Sequence, residues 1–128
     1  MKTIGIDYGK SKIGLALSEG LLAEPYKVIK VKNFDDAVTK VLHVLQPEQA
    51  DKLVIGISEG RMAKETRDFE KKLTKMLNIP VEEYDETLTT QDAQKLSIAA
   101  GINRKKRREM EDAYAAAIML QNYLDNNR

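Results

Sequence analysis

The stretch LVIGI at residues 53–57 is the feature that most limits how this chain can fold. It is apolar at every position, without alternation between apolar and polar residues. A run of this length is typical of a parallel strand that is buried on both faces of its sheet. Such a strand needs helices on both sides of the sheet. The sequence therefore predicts an α/β fold.

The rest of the chain supplies the other elements of such a fold. Strands are predicted at 2–7, 12–18, 26–32 and 80–86, and helices at 34–46, 63–77, 89–100 and 111–124. The first two strands form a hairpin whose tight turn contains Gly9, a residue that adopts positive φ at low cost. The lysine-rich third strand is expected at an edge. Right-handed crossovers put the first strand at the centre of a mixed five-stranded sheet flanked by helices.

Composition limits the class of protein. A chain of 128 residues and 14.5 kDa suits one domain over residues 1–128. No apolar run approaches the roughly 20 residues of a membrane span, and the first residues lack the apolar core of a signal peptide. The absence of cysteine excludes thiolate chemistry and favours a reducing cytoplasm. The net charge of +1 gives no general attraction to nucleic acid, so such binding depends on local patches.

Three carboxylates are predicted to meet at one end of the sheet. Asp7 and Glu86 end strands that are expected to be parallel, and open α/β sheets bind ligands at the carboxyl ends of such strands. Asp112 begins the last helix, whose alanine-rich face allows close packing on the same sheet. With no cysteine and one histidine, His43, expected at the surface of the first helix, these oxygen ligands favour Mg²⁺ or Mn²⁺ over zinc.

Each acid also has a simpler interpretation that the sequence leaves open. Asp7 before Gly9 is compatible with an Asx-type turn. Glu86 is compatible with a solvated residue before a helix, and Asp112 with a favourable anion near a helix N-terminus. Glu59, in the turn after the buried strand, is expected at the same end of the sheet and is a candidate auxiliary residue.

A run of basic residues supplies the positive charge that the net balance lacks. RKKRR stands directly before the helix that carries Asp112, where it is either a solvated surface or a phosphate-binding segment. The predicted nucleic-acid-binding residues are Lys10, Lys12, Arg104, Lys105, Lys106, Arg107 and Arg108. Aromatic residues make up only 5% of the chain, so recognition of backbone and shape is expected rather than base stacking.

Four blocks of sequence occur in a characteristic order: DYGKSKIGLALSE followed by Pro25, then LVIGIS, DETLTTQDA and EDAYAAAIMLQNYLD. Together they cover nearly the whole chain and resemble the YqgF (RuvX-type) family of Holliday-junction-resolvase-like nucleases. The resemblance implies an RNase H-like fold of the RuvC type, with Asp7, Glu86 and Asp112 as the catalytic acids. It also implies a role in processing the precursor of 16S ribosomal RNA, with branched DNA as the other possible substrate.

The ligand set and the resemblance together predict a mechanism. Two divalent ions about 4 Å apart, bridged by a carboxylate, would activate a water and stabilise the leaving oxygen of an in-line displacement at phosphorus. Asp7 on the central strand is the expected bridging ligand, and Glu86 and Asp112 would each hold one ion. The predicted enzyme is a metal-dependent phosphodiesterase of the endonuclease type, a monomer or a homodimer.

The chain departs from the family pattern at two places. Thr87 stands where the family usually has arginine, and ISEGRMAKE replaces a longer loop after the buried strand. Both departures bear on substrate choice. A non-catalytic ribosome-assembly factor that binds nucleic acid with the same fold remains an alternative. DYGKSKIG also looks like the first phosphate-binding hairpin of the actin and sugar-kinase superfamily, but those ATPases need a second domain that 128 residues cannot hold.

Overall fold

A mixed five-stranded sheet organises the computed structural model, which describes residues 1–57, 60, 62–85 and 109–126. The strands are β1 (Thr3–Asp7), β2 (Lys12–Ser18), β3 (Ala23–Lys30), β4 (Lys52–Ile57) and β5 (Val81–Asp85). The described helices are α1 (Phe34–Leu45), α2 (Met62–Met76) and α3 (Glu111–Asn126), and a 3₁₀ turn, Gln46–Glu48, follows α1. The sheet order β3-β2-β1-β4-β5 confirms the predicted sheet with β1 at its centre.

Strand directions decide which residues share an edge of the sheet. β1, β4 and β5 are parallel to one another, and β2 runs antiparallel to both β1 and β3. β3 therefore runs in the same direction as β1. The last residues of these four strands therefore lie at the same end of the sheet, which we call the carboxyl edge. They are Asp7, Lys30, Ile57 and Asp85.

The two faces of the sheet contribute to different cores. Leu53–Ile57 of β4 are buried throughout, as predicted. One face packs against α1 and α2 through a core that includes Ile4, Ile6, Ile13, Leu15, Leu53, Ile55, Val41, Phe69 and Leu73. The other face packs against α3 through Ala16, Val54, Ala116, Ala117, Met119, Leu120 and Tyr123. Fully burying each large apolar side chain contributes about 1.5–3 kcal/mol, which explains why the central strands carry no polar alternation.

The first helix begins and ends at the predicted signals. The side chain of Asn33 accepts a hydrogen bond from the backbone N–H of Asp36 at 2.8 Å, which caps α1. The helix ends at Leu45, and Pro47 follows within the 3₁₀ turn, where its missing N–H does not interrupt a long helix.

The third strand differs from its prediction because Pro25 lies inside it. β3 covers Ala23–Lys30 instead of 26–32, and Pro25 pairs with Ala16 next to a register shift in β2. Proline is tolerated there because β3 is an edge strand, as predicted, and because an irregular rung needs no regular hydrogen bond.

The last helix is buried more completely than one apolar face would require. Tyr114 and Ala115 are buried in addition to the alanine-rich face, whereas Leu124 is only partly buried.

None of the helices in the described part of the chain is long and apolar enough to cross a membrane. The helix predicted at 89–100 lies outside the described residues.

Candidate active site

Asp7 ends β1 on the face of the sheet that α3 covers. Gly5, two residues earlier and therefore on the same face, lies directly under α3, since a Cβ added there would be 3.0 Å from the Cβ of Leu120. The cross-strand partners of Asp7 are Gly14 on β2 and Gly56 on β4. Because both partners are glycines, no side chain on an adjacent strand screens the half-buried Asp7 at its own level of the sheet.

The closest approach between the sheet and α3 brings Asp112 to the same place. A Cβ added to Gly14 would lie 1.9 Å from the carbonyl oxygen of Asp112 and 2.8 Å from the backbone nitrogen of Ala113. Only glycine allows the first turn of α3 to lie this close to β2. Since Gly14 is the rung partner of Asp7, the backbone of Asp112 lies beside the rung that carries Asp7.

The environment of Asp112 opposes its negative charge. Burial raises the pKa of this carboxyl above its ordinary value, the neighbouring Glu111 raises it further, and Lys12 lowers it. A carboxylate that lacks full compensation from the protein gains from a bound cation. The oxygen donors of Asp7 and Asp112 fit a hard divalent cation such as Mg²⁺ or Mn²⁺.

Lys10 and Lys12 lie at the carboxyl edge, in the turn and at the start of β2, and both are exposed. The turn depends on Gly9 for a steric reason: a Cβ added there would lie 2.4 Å from the carbonyl oxygen of Lys12. The expectation of positive φ at Gly9 is wrong, because Gly60 is the glycine that has positive φ among the described residues.

Tyr8 anchors the end of β1 from the opposite face. Its ring lies 4.5 Å from that of Phe69, measured between centroids, and its hydroxyl donates a hydrogen bond to Glu65 at 2.8 Å. Burial, followed by the Glu65 carboxylate, raises the pKa of Tyr8 and keeps the hydroxyl protonated. Both partners belong to α2, so the backbone next to Asp7 is tied to that helix. In the sequence Tyr8 lies next to Gly9 in the predicted turn of the hairpin, where a single aromatic residue gives no signal of this role.

A cleft of about 520 Å³ lies at the carboxyl ends of β4 and β5, with Arg67, Glu83 and Asp85 among its lining residues. Arg67 Nε lies 3.4 Å from a carboxylate oxygen of Glu83. Burial, and then a hydrogen bond with Glu83, raise the pKa of the nearby Glu70 to about 7, against the opposing effect of Arg67. This polar cleft was not anticipated from the sequence, because its groups are far apart in the chain.

The remaining predicted site residues lie outside the part of the chain that the structure describes. They are Glu86, which follows the last residue of β5, Glu59, and the basic run Arg104, Lys105, Lys106, Arg107 and Arg108. Within the described residues, no three aspartate, glutamate or histidine side chains form a group that could hold a metal ion. His43 is exposed on α1, as predicted.

Sequence comparisons identify relatives along the whole chain. A family model described as RuvX, Holliday junction resolvase, matches residues 1–126. A protein of Natranaerobius thermophilus named "Putative pre-16S rRNA nuclease" is 35% identical over 98% of this chain and 94% of its own length. A protein of Bacillus subtilis with the same name is 33% identical over 98% of this chain and 99% of its own length.

Solved structures of Holliday junction resolvases share the fold. The resolvase of Fowlpox virus superposes with a TM-score of 0.70 at 12% identity, covering 98% of this chain and 99% of that chain. Thermus thermophilus RuvC in complex with a Holliday junction substrate gives a TM-score of 0.65 at 18% identity, covering 99% and 96%. These likenesses confirm the predicted RuvC-type, RNase H-like fold. Because the family model covers residues 1–126, the chain belongs to the RuvX (YqgF) family, as its sequence blocks predicted.

Proposed function

We propose that this protein is a divalent-metal-dependent nuclease that hydrolyses phosphodiester bonds in precursor 16S ribosomal RNA. The observation that carries the proposal is the contact of Asp112 with Gly14, the rung partner of Asp7. It places the backbone of Asp112 beside the rung that carries Asp7, at the end of the sheet where open α/β folds bind ligands. The names of the relatives support precursor 16S rRNA as the substrate.

The proposed metal ligands and catalytic residues are Asp7, Asp112 and Glu86, with Glu59 as an auxiliary residue. Two Mg²⁺ or Mn²⁺ ions bound there would supply a water activated for attack and stabilisation of the leaving oxygen. The protein's own contribution is position. Gly14 lets α3 bring Asp112 to the sheet, and Tyr8 ties the end of β1 to α2. Such rigid placement of reacting groups supplies a large part of a catalytic effect.

Substrate binding is proposed to use local positive charge beside the acids. Lys10 and Lys12 lie at the same edge of the sheet as Asp7 and would contact phosphates. The run Arg104, Lys105, Lys106, Arg107 and Arg108 precedes α3 in the chain and is proposed to extend this contact. We propose one nuclease domain over residues 1–128, acting as a monomer or homodimer in the cytoplasm, where a chain without cysteine meets reducing conditions.

The test is cleavage of a panel that contains single-stranded RNA, precursor 16S rRNA and a four-way DNA junction, with Mg²⁺ or Mn²⁺. The proteins compared are the wild type, Asp7→Asn, Asp112→Asn and the matched control Asp35→Asn. Asp35 is exposed and lies in the first turn of α1, and it therefore matches the helical position of Asp112, which is partly buried in the first turn of α3. We expect Asp7→Asn and Asp112→Asn to lose cleavage by at least about 100-fold with unchanged circular dichroism, and Asp35→Asn to cleave as the wild type.

The same variants distinguish the alternatives. Calorimetric titration with Mn²⁺ should show weaker binding for Asp7→Asn, which tests the metal site independently of cleavage. Wild-type cleavage by Asp7→Asn would remove this residue from the mechanism. Binding of RNA without cleavage of any panel member would favour the ribosome-assembly factor, and cleavage of the DNA junction alone would make the protein a resolvase.

A further inference from the structure

A pair of lysines extends the carboxyl edge beyond the proposed acids. Lys12 at the start of β2 and Lys30 at the end of β3 are direct partners in the antiparallel ladder. The backbone N–H of Val31 donates to the carbonyl of Ser11 at 2.9 Å, so that rung is hydrogen-bonded. The next rung, Lys12 with Lys30, is then of the non-hydrogen-bonded kind, in which Cα atoms are about 4.5 Å apart and side chains are closest.

Both lysines are on the face of the sheet that carries Asp7. The adjacent rung, Ile13 with Ile29, belongs to the core under α1 and α2, and successive residues of a strand alternate between faces. Lys12 and Lys30 are therefore on the α3 face. Consistent with this, Lys12 is within electrostatic reach of Asp112.

The pair is unfavourable for the fold by itself. Like charges directly opposite each other on neighbouring strands are destabilising. Neither lysine forms a salt bridge with any residue that the structure describes, and both are exposed. By contrast, Lys2, Lys40 and Lys52 lie 3.0, 3.2 and 3.4 Å from carboxylate oxygens. Asp112 is within electrostatic reach of Lys12, but two exposed ammonium groups on one rung remain suited to an anionic ligand that would contact both.

The lysine pair is a short distance from the proposed cleavage site. Lys30 is two strands away from β1 and two residues beyond the level of Asp7. With about 4.8 Å between strands and about 3.4 Å per residue, the Cα atoms of Asp7 and Lys30 are roughly 12 Å apart. A stacked nucleic-acid strand rises about 3.4 Å per nucleotide along its axis and also winds around that axis, so this distance corresponds to at most a few nucleotides.

We propose that Lys12 and Lys30 together bind one phosphate of the substrate strand, within a few nucleotides of the bond that is cut. The proposal rests on the proposed nuclease function and adds two things to it. Lys30 becomes a substrate-binding residue, and the strand that leaves the acids crosses the ends of β2 and β3.

The first test compares Lys30→Gln with Lys27→Gln. Lys27 is exposed on the same strand, but it pairs with Leu15 of the α1 and α2 core, so it is on the opposite face and makes a matched control for charge. Binding to a precursor 16S rRNA fragment is measured against salt concentration, with Asp7→Asn in every protein so that the RNA stays intact. Loss of one phosphate contact should make the negative slope of log K against log salt concentration less steep by about 0.7–0.9. It should also weaken the affinity at 0.15 M salt by about fivefold. Lys27→Gln should change neither.

The second test locates the phosphate in the substrate. One neutral methylphosphonate linkage is moved along the RNA strand, and binding is measured with and without Lys30→Gln. At the contacted linkage, the protein that has Lys30 should lose about fivefold in affinity, whereas Lys30→Gln should lose nothing further, because the interaction is already gone. If every linkage has the same effect on both proteins, or if Lys27→Gln lowers the slope as much as Lys30→Gln does, the proposal is overturned.

Stability and cleavage measurements separate the other outcomes. Lys30→Gln should melt at or above the wild-type temperature, because it removes a like-charge rung. A lower melting temperature together with the lost slope would assign the loss to unfolding and refute the contact. If the wild type cleaves nothing while Lys30→Gln still reduces the slope, the phosphate contact stands and the nuclease function fails. If the wild type cleaves and the slopes of all variants agree, the nuclease stands and the contact fails.

Discussion

Gly14→Ala tests whether the close contact between β2 and α3 positions the site. An ordinary contact of a Cβ is 3.4–4 Å, but the added methyl would lie 1.9 Å from the carbonyl oxygen of Asp112. The helix start must therefore move by about 1.5 Å, since the obstacle is backbone and not a flexible side chain. Overpacking of this kind costs about 1–3 kcal/mol of stability. A displacement of about 1 Å in a reacting group reduces activity by about 100-fold.

Urea unfolding and metal-dependent RNA cleavage measure the two effects. Gly20→Ala is the matched control, because no atom lies within 4 Å of a Cβ added there. We expect Gly14→Ala to lose about 1–3 kcal/mol and at least about 100-fold in cleavage while it remains folded, and Gly20→Ala to change stability by less than about 0.5 kcal/mol. Wild-type stability and cleavage in Gly14→Ala would refute the argument that this contact positions Asp112.

Three further substitutions test the electrostatics and the anchoring of the site. Asp112→Asn should be more stable than the wild type at pH 7 but not near pH 3. The pKa of Asp112 is raised in the folded protein, so the stability of the wild type falls as the pH rises above the ordinary pKa of aspartate. Urea unfolding at the two pH values measures this, and equal differences would contradict it. Tyr8→Phe should lose about 0.5–1.5 kcal/mol through its hydrogen bond to Glu65, and a urea midpoint equal to that of the wild type would show that the bond contributes nothing. Glu70→Gln should be more stable than the wild type at pH 8, with the advantage absent below pH 4.5, because the pKa of Glu70 is raised to about 7 by burial and by Glu83. A pH-independent difference in melting temperature would be inconsistent with that titration.

The sheet was predictable because its signals are local. The unbroken apolar run at 53–57 identified a buried parallel strand, and the helix over 34–46 was marked by Asn33 and Pro47 to within one residue of the observed end. β3 was placed too late along the chain because Pro25 suggested a strand start. Whether an edge strand accepts proline depends on the neighbouring strand. Here Pro25 pairs with Ala16 of β2 at an irregular rung, which cannot be read from the sequence of β3 alone.

The site was only partly predictable, because its geometry comes from contacts between distant segments. The position of Asp7 at the end of a central strand followed from strand order, and that of Asp112 was expected from packing of the alanine-rich helix face on the same sheet. The approach of the Asp112 backbone to β2, so close that only glycine fits at position 14, depends on how α3 packs, and no local pattern encodes that distance. The lysine rung likewise appears only when β2 and β3 are in register. The prediction for Glu86 and for the basic run is not tested by the described residues.

The position of α3 at the end of the described chain has a consequence for biosynthesis. The side chain of Gln121 in α3 accepts a hydrogen bond from the backbone N–H of Ala23, 98 residues earlier in the chain. The helix covers the face of the sheet that carries Asp7. A nascent chain that has only reached β5 therefore contains the sequence of every strand of the sheet but lacks Asp112. The proposed nuclease activity therefore depends on a residue that is synthesised after every strand of the sheet.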